Sequence, residues 1–383
     1  MILKIMHLHA RQREILRLLW QVGPLSRLQL HRSTGLTPTQ AGDHAAAMIR
    51  MGLLREGAPE VKGRGRPRIP LEIDPAAKVV IGLAIRPGGV ETCRLNLRGE
   101  LLGRVEFRPV QSPLALVRSA SRAIESLVAR ETAAIGMTAP GFVDPVQRQI
   151  LFSSALPGQL HVDVAGIYAA AGKAPICLHN DMHALAARWV LSHHAQIDED
   201  VLLVSIGDGR LGAAMLIDGR PNRGCAMGGN ELGHMRLAVE TQRCYCGQTG
   251  CLERICSTRF LNQQLGLGMS LGEAVSRYDG AGELSRLLEP LATGLANAVN
   301  FVRPARVVLV SEFLRFPVFA DALQREIRRR LLVALVDRVR IDLWDQPAGQ
   351  GGETAGWLAL ASLCLEGWQQ PPALLRVGLT HCN

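Results

Sequence analysis

The sequence lacks any apolar run long enough to cross a membrane. Its longest apolar runs, such as residues 201–206 and 307–310, have the length of a strand, whereas a membrane-spanning helix needs about 20 apolar residues. The first residues also lack the apolar core and small-residue cleavage site of a signal peptide, because Lys4, Arg11 and Arg13 interrupt short aliphatic stretches. We therefore expect a cytoplasmic protein without a membrane partner.

Net charge is almost absent from the larger part of the chain. Residues 71–383 contain 31 Lys and Arg against 30 Asp and Glu, whereas residues 1–70 contain 12 against 4. A small basic domain joined to a nearly neutral large one is typical of proteins that bind nucleic acid, because Lys and Arg displace the counterions of phosphates. A solvated basic surface without a partner is the alternative interpretation. The length of 383 residues favours two or three domains.

The chain has an odd number of cysteines, so they cannot all pair with one another in disulfide bonds. It has nine, and three of them, Cys244, Cys246 and Cys251, lie close together in the sequence. In a cytosolic protein such clustering favours metal binding over disulfide bonds.

Two short helices are predicted near the N-terminus. The first covers residues 11–22 and stops before Pro24, because proline cannot continue a helix. The second begins at the N-cap residue Ser26, turns Leu28 and Leu30 inward and ends at Gly35.

A third helix completes a helix-turn-helix. Thr37 caps it after the turn at Gly35, and it runs to about residue 51. In such a unit the N-terminal side chains of the last helix enter the major groove and reach base edges. The candidate DNA-reading residues are Thr39, Gln40, Asp43 and His44. Gln40 suits adenine, because its amide can donate and accept hydrogen bonds together.

A basic, glycine-rich segment follows the third helix. Residues 52–56 resemble the start of a strand, and residues 62–68 alternate Lys or Arg with Gly and Pro. As a hairpin tip this segment is the wing of a winged helix-turn-helix, whose flexible glycines let Arg64 and Arg66 enter a minor groove. A linker without further function is the alternative.

From residue 78 onward, predicted strands alternate with predicted helices. Strands are expected at residues 79–85, 89–97, 101–108, 134–137, 201–206, 212–217 and 307–310. Helices are expected at residues 114–130, 164–171, 182–191, 287–301 and 320–336. This alternation favours an α/β domain with mixed sheets.

Several motifs occur in a fixed order along nearly the whole chain. They are Gly65-Arg66-Pro67, Pro140-Gly141-Phe142-Val143-Asp144, Leu156-Pro157-Gly158, Asn180-Asp181, Glu231-Leu232-Gly233-His234 and the cysteine cluster. In these motifs the chain resembles a repressor of the ROK family, which groups bacterial sugar-responsive repressors with sugar kinases. The resemblance implies a duplicated actin-like ATPase (ribonuclease H-like) domain over residues 71–383, after a winged helix-turn-helix over residues 1–70. Sugar is then expected in the cleft between two lobes.

The segment from His234 to Glu253 contains candidate metal ligands. His234, Cys244, Cys246 and Cys251 offer one imidazole and three thiolates, a closed set that suits a structural Zn(II) ion. Glycines at 247 and 250 allow the close turns that such a site needs. A chance cluster of free cysteines is the alternative. In the resembled family this ion braces the loop that carries sugar contacts.

Polar residues of the motifs are candidate sugar ligands. Carboxylates and amides hold adjacent hydroxyls by paired hydrogen bonds. The resemblance implies an effector pocket formed by Asn180, Asp181, Glu231, His234 and Glu253. In the kinases of the family the aspartate that matches Asp181 is the general base, whereas here we expect a hydrogen-bond acceptor. For each residue alone, a solvated or capping role is the alternative.

Two histidines depart from the pattern of the family. His161 and His183 stand where the family commonly has Asn. Imidazoles supply hydrogen-bond donors and carry charge near neutral pH. We therefore include both in the effector pocket and expect an anionic or modified sugar rather than plain glucose.

The phosphate-binding elements of the family kinases are altered. Those kinases begin the domain with an Asp-x-Gly-Gly-Thr loop, where this chain has Ala84-Ile85-Arg86-Pro87-Gly88. The glycine pair expected near the adenosine is replaced by Ser311-Glu312, and only a weak glycine pattern persists at residues 207–212. Because phosphoryl transfer needs positioned phosphates and a metal ion, we expect no kinase activity.

These patterns together predict a DNA-binding transcriptional regulator, a repressor of carbohydrate uptake or catabolism genes, controlled by a sugar or a sugar derivative. A ROK sugar kinase with an N-terminal extension is the enzyme alternative. A regulator whose pocket has lost its ligand is a third interpretation. A helix-turn-helix monomer reads too few base pairs to be specific for one site in a genome. We therefore expect a homodimer or homotetramer on double-stranded DNA.

Overall fold

The computed structural model describes residues 8–59, 68–110, 112–153, 156, 160–193, 199–222, 228, 230–237, 243–264, 266–346, 351–365 and 367–368. The chain forms two compact units. Unit one comprises Met1–Ala195 with Gly351–Asn383, and unit two comprises Gln196–Gln350. Within the described ranges, no helix combines the length and the hydropathy needed to span a membrane.

Unit one begins with a small body of three helices and three short strands. The helices are α1 (Ala10–Val22), α2 (Arg27–Thr34) and α3 (Pro38–Arg50). The strands β1 (Leu25–Ser26), β2 (Leu54–Glu56) and β3 (Pro70–Ile73) form an antiparallel sheet in the order β1-β3-β2. Because β3 runs to Ile73, this sheet extends past residue 70.

Local capping signals explain where α2 and α3 begin and end. The side chain of Ser26 accepts a hydrogen bond from a backbone N–H three residues on, and α2 ends at Gly35 with a left-handed φ of 67°. Thr37 caps α3 in the same way. The three predicted helices are confirmed, but the expected inward position of Leu28 is wrong, since 41% of it is exposed. The expected inward position of Leu30 is confirmed, and Leu28 lies about 200° away from it around the helix.

The rest of unit one is an α/β body around a five-stranded sheet. Its strands are β4 (Val79–Arg86), β5 (Gly89–Asn96), β6 (Glu106–Pro109), β7 (Thr132–Ala139) and β11 (Ile176–Asn180), in the order β11-β7-β4-β5-β6. A small antiparallel sheet consists of β8 (Phe142–Asp144), β9 (Gln149–Phe152) and β10 (Leu160–Asp163). The helices are α4 (Pro113–Leu127), α5 (Ala165–Ala170), α6 (Asp181–Ser192) and α13 (Gly352–Cys364).

Unit two contains a second five-stranded sheet. Its strands are β12 (Val201–Gly207), β13 (Arg210–Ile217), β14 (Arg220–Pro221), β15 (Arg306–Val310) and β16 (Arg340–Trp344), in the order β14-β13-β12-β15-β16. Its helices are α7 (Leu252–Ile255), α8 (Thr258–Gln264), α9 (Leu271–Ser276), α10 (Ser285–Val302), α11 (Pro317–Arg330) and α12 (Val333–Val336). Two 3-10 turns cover Leu232–His234 and Glu312–Arg315.

The two large sheets share one topology. In each sheet the first three strands are antiparallel neighbours, the fourth strand is parallel to the first, and the fifth is parallel to the fourth. The predicted α/β domain with mixed sheets is confirmed. The repeated strand order is the structural sign of a duplication.

Helix α13 lies against the first sheet at glycines. Gly82 and Gly136 are paired across β4 and β7. A Cβ atom on Gly136 would lie 1.8 Å from the carbonyl oxygen of Ala355, and one on Gly82 would lie 1.9 Å from that of Gly352. The helix backbone therefore rests directly on the sheet, at a distance that only glycine allows.

Trp20 attaches α1 to the α/β body of unit one. Its indole Nε1 donates a hydrogen bond to the carbonyl oxygen of Leu191 (2.8 Å), in the last turn of α6. Its ring packs edge-to-face on Trp357 of α13, with 5.8 Å between centroids. The N-terminal helices are thus fixed at one end of α6, whose other end is Asp181.

Two predicted elements differ from the structure. The helix predicted over residues 320–336 is two helices, because Leu331 adopts an extended backbone with ψ of 151°. Asn300 stabilises this break by donating to the carbonyl oxygen of Arg330 (3.1 Å) and accepting from the N–H of Leu332 (3.0 Å). The strand predicted over residues 101–108 is only the short edge strand β6.

Candidate functional site

The N-terminal end of α3 presents polar side chains to solvent. Thr39, Gln40 and Asp43 are exposed, and His44 is half-buried. The opposite face of the helix is fully buried and consists of Ala41, Ala45 and Met48. The structure therefore places the four predicted DNA-reading residues together on an accessible helix end.

Gln40 has a second task in this structure. Its Oε1 accepts a hydrogen bond from the N–H of Thr37 (3.0 Å), while the Thr37 hydroxyl accepts from the N–H of Gln40 (3.2 Å). This reciprocal pair is a capping box. A two-point contact with adenine needs the same amide oxygen, so it would replace a cap bond. Thr39 and Asp43 could contact bases without the loss of this cap bond.

The predicted wing follows β2 and precedes β3. These strands pair antiparallel, with Leu54 opposite Ile73, as the two arms of a hairpin do. The predicted tip residues Arg64 and Arg66 lie outside the described residues.

Four side chains with metal-binding atoms converge in unit two. The ligand atoms of His234, Cys244, Cys246 and Cys251 all lie within 4.8 Å of one another. The sulfurs of Cys246 and Cys251 are 3.6 Å apart, and the sulfur of Cys244 is 3.7 Å from Nδ1 of His234. A tetrahedral ion with bonds of ~2.3 Å to sulfur and ~2.05 Å to nitrogen needs edges of about 3.8 and 3.5 Å. The donor set and its size therefore fit a metal ion.

Tight turns bring these ligands together. Gly247 and Gly250 have φ values of 91° and 76°, a conformation that favours glycine. Burial raises the pKa of the Cys251 thiol to about 12, with further contributions from the Cys246 and Cys244 thiols. Burial also raises the pKa of Cys244. Without a metal, these thiols hold their protons at neutral pH.

Glu253 stabilises the segment that contains Cys244, Cys246 and Cys251, which we call the cysteine loop. Its side chain is buried, its Oε2 accepts a hydrogen bond from the N–H of Leu211 (3.0 Å), and its Oε1 accepts one from the hydroxyl of Tyr245. Gly233 lies so close that a Cβ there would be 2.3 Å from the carbonyl oxygen of Leu211. Tyr245 is absent from the predicted site residues, although its position between two ligand cysteines was a usable signal. The Glu253 carboxylate thus joins β13 to the cysteine loop, and its sugar contact stays a prediction.

Glu231 and His234 lie side by side. The Oε2 of Glu231 is 3.6 Å from Nε2 of His234, while the other ring nitrogen faces Cys244. Metal-bound imidazoles commonly direct their second nitrogen at a carboxylate. The two ring nitrogens of His234 thus face different partners, and its effector contact stays a prediction.

Asn180 and Asp181 form the junction between β11 and α6. The buried Asn180 accepts a hydrogen bond from the N–H of Met182 (2.8 Å) and donates one to the carbonyl oxygen of Gly141 (2.7 Å). It caps α6 and holds the loop after β7. Asp181 is partly exposed and accepts from the same N–H (2.9 Å). Of the two side chains, that of Asp181 is the more accessible to a ligand.

His161 and His183 have opposite environments. His161 is exposed, with a φ of 45° in β10. A left-handed conformation is uncommon outside glycine and is found at functional sites. His183 is 0% exposed, and its ring packs edge-to-face against His179 at 5.6 Å. Of the two imidazoles, only that of His161 faces solvent, a difference that motif position alone does not predict.

Comparison with known families identifies the α/β part of the chain. The sequence profile of the ROK family matches residues 82–363. The chain belongs to the ROK family. The resemblance drawn from the sequence motifs is therefore confirmed, and the ROK domain includes most of both five-stranded sheets.

Relatives of this ROK protein include transcriptional regulators. It is 26% identical over 261 residues to the DNA-binding transcriptional dual regulator NagC of Escherichia coli (strain K12), a match that spans 66% of this chain and 63% of NagC. It is 25% identical over 350 residues to the DNA-binding transcriptional repressor Mlc of the same strain, across 82% of this chain and 84% of Mlc. A solved ROK family transcriptional regulator, a homolog of E. coli Mlc, matches its fold with a TM-score of 0.74 at 22% identity, over 92% of this chain and 96% of that one.

The names of NagC and Mlc describe transcriptional regulators, which supports the prediction that this ROK protein is a regulator rather than a kinase. The turn after β4, where the family kinases have a phosphate loop, agrees with that prediction. Arg86 pairs with Glu91 across this turn, and Glu91 accepts a hydrogen bond from the N–H of Gly352 (2.8 Å) at the start of α13. A helix N-terminus attracts anions, and here a carboxylate of the chain itself takes that position.

Proposed function

We propose that this ROK protein is a DNA-binding transcriptional regulator, a repressor of genes for carbohydrate uptake or catabolism. Its winged helix-turn-helix would end with β3, at Ile73, and the ROK domain after it would bind a sugar or a sugar derivative. The observation that carries the proposal is the exposed polar end of α3, capped by Thr37 on a three-helix body. Recognition helices enter the major groove with this end.

The positive charge of the N-terminal body supports DNA as the partner. Arg32 and Arg50 are exposed near the ends of α2 and α3, where phosphates flank a helix that enters a groove. Arg64 and Arg66 of the proposed wing would add contacts in a minor groove. Their combined charge accounts for affinity, whereas Thr39 and its neighbours on α3 would supply specificity.

A carbohydrate would be bound by paired hydrogen bonds. The proposed contacts are Asn180, Asp181, Glu231, His234 and Glu253. The exposed imidazole of His161 supports an anionic or modified sugar. The burial of His183 favours an indirect role for this residue, since its ring packs against His179 of β11.

Helix α6 offers a route from the effector to the DNA-binding body. Asp181 is its first residue, and the carbonyl oxygen of Leu191 in its last turn accepts the indole N–H of Trp20. A helix moves as a rigid element. A ligand that shifts the Asp181 end of α6 would therefore also shift α1 through Trp20.

We assign a structural zinc ion to the cysteine loop. Nδ1 of His234 and the sulfurs of Cys244, Cys246 and Cys251 would hold it, and four protein ligands leave no open position for catalysis. When bound, the ion supplies the bonds that fix the loop and orient the His234 ring next to Glu231. Loss of the ion would therefore weaken effector binding as well as folding.

A homodimer or homotetramer joined through the ROK domain is part of the proposal. Phe301 at the end of α10 and Leu332 and Val333 at the start of α12 are 86%, 58% and 92% exposed. Adjacent exposed apolar side chains mark interaction surfaces, and a twofold contact pairs one patch with its own copy. Such a dimer would present two copies of α3 to two half-sites.

Effector control predicts that a carbohydrate releases DNA. We expect the purified chain to select a few fragments from the genomic DNA of its source organism. One compound of a panel of sugars and sugar derivatives should change the affinity of the chain for these fragments about 5- to 150-fold. Asp181→Asn removes a charged acceptor but keeps the shape of the side chain. This variant should bind the fragments normally and need more of the compound for release.

The matched control is Asp321→Asn, which changes an exposed aspartate on α11 and should respond as the wild type does. Equal sensitivity of Asp181→Asn and wild type would contradict the proposed contact. Release that requires ATP hydrolysis would contradict a binding switch altogether.

A further inference from the structure

Three arginines converge on one cavity beside α4. Arg118 and Arg122 lie four residues apart on α4, and Arg108 lies on the neighbouring edge strand β6. With Ser119 and Ala115 they line a cavity of about 510 Å³. Its lining contains none of the candidate effector or metal residues and belongs entirely to unit one.

Among the described residues, acids balance only part of the positive charge of this cavity. Arg108 has one distant ion-pair contact, 3.5 Å from Glu106. In the part of the chain that the structure describes, Arg118 and Arg122 form no ion pair, and Glu125 of the same helix is exposed to solvent. Like charges four residues apart oppose helix formation. The stability of α4 therefore does not explain this arrangement.

The chemistry of the lining specifies an anion. A guanidinium group presents paired N–H donors that match two oxygens of a phosphate. Ser119 adds a hydroxyl group, while Ala115 supplies apolar surface for the rest of a ligand. The cavity volume lies within the ~300–1,000 Å³ of small-molecule sites.

We propose that this arginine cavity binds a phosphate group, either inorganic phosphate or a small phosphate monoester such as a sugar phosphate. This ligand is additional to the carbohydrate of the proposed effector pocket, and the inference does not rest on the proposed function. Three guanidinium groups that line one cavity favour a small anion over the extended backbone of DNA.

The test is calorimetric titration of the full chain in a buffer free of phosphate and sulfate. Inorganic phosphate and glucose 6-phosphate are the probes, and glucose is the neutral comparison. We expect one saturable site per chain for a phosphate-bearing probe. Arg118→Gln/Arg122→Gln should weaken binding by at least about tenfold, because hydrogen bonds to charged groups are the strong ones.

The control is Arg325→Gln/Arg329→Gln, which removes two charges four residues apart on the exposed side of α11; it should bind the probe as the wild type does. Tighter binding of glucose 6-phosphate than of phosphate identifies a monoester site, and equal binding identifies a phosphate site. No saturable binding at millimolar concentration, or equal loss in both double variants, overturns the proposal. So does a result in which the Arg118/Arg122 variant binds random duplex DNA more weakly while neither probe binds the wild type.

Discussion

Cys251→Ser is expected to lose its zinc and the ordered structure of the cysteine loop. Loss of an outer-shell partner alone lowers metal affinity by about 10- to 100-fold, so loss of one of four ligands should exceed that. Purified wild-type chain should contain about one zinc per chain, and the variant close to none. Elemental analysis after reducing, chelator-free purification measures this. The variant should also need more effector for the same response, because Glu253 joins the loop to β13.

Cys256→Ala is the matched control for this loss. Cys256 is a buried free cysteine outside the ligand set, so its variant should keep the zinc and lose only a little packing.

The wild-type site should also release zinc as the pH falls. Burial raises the pKa of Cys251 to about 12, so the ion must displace thiol protons, and these compete more strongly at low pH. Zinc-free wild-type chain that still folds and responds would contradict a structural role.

Gly136→Ala is expected to destabilise unit one by about 3 kcal/mol or more, at the upper end of the cost of overpacking. Its Cβ would lie 1.8 Å from the carbonyl oxygen of Ala355 and 2.8 Å from the backbone nitrogen of Ala359. Neither backbone atom can move without lifting α13 from the sheet. Urea unfolding followed by tryptophan fluorescence measures the loss, since Trp357 lies on α13 and contacts Trp20.

Gly166→Ala in α5 is the control, because its Cβ would meet only side-chain atoms at 3.6 Å. Alanine is the better helix former by about 1 kcal/mol, so this variant should be neutral or more stable. Equal stability of the two variants would show that the close contact between α13 and the sheet is wrong.

Local signals made the N-terminal helices and the cysteine loop predictable from the sequence. Ser26 and Thr37 begin helices and Gly35 ends one, in each case through hydrogen bonds within a few residues. Their effect therefore does not depend on the rest of the fold. The ligand spacing of the cysteine loop is equally local, and the loop folds so that its four ligand atoms meet.

Features set by distant packing were not predictable in this way. Helix α13 consists mostly of small and apolar residues, so its sequence shows no helical period. Its position depends on Gly82 and Gly136, which are far away in the sequence. His183 and Asp181 lie in one turn of α6, yet the fold buries the first and leaves the second accessible. The break at Leu331 depends on the side chain of Asn300 in another helix.

The claim that α3 reads DNA sequence predicts a change in specificity for Thr39→Ala/Asp43→Ala. Removing a carboxylate near DNA should, on charge alone, strengthen binding to any duplex, because repulsion from phosphates falls. If these side chains contact bases, their loss should instead weaken binding to a selected fragment by about 1–3 kcal/mol per contact. Affinity for random duplex should stay the same or rise.

The decisive measurement is therefore the ratio of the affinities for the selected fragment and for a random duplex, by fluorescence anisotropy at one salt concentration. Asp321→Ala, which removes one exposed charge from α11, is the control and should keep the wild-type ratio. The account predicts a fall in the ratio of about 5-fold or more for the Thr39/Asp43 variant. An unchanged ratio, or a wild-type chain that binds both duplexes equally, would contradict it.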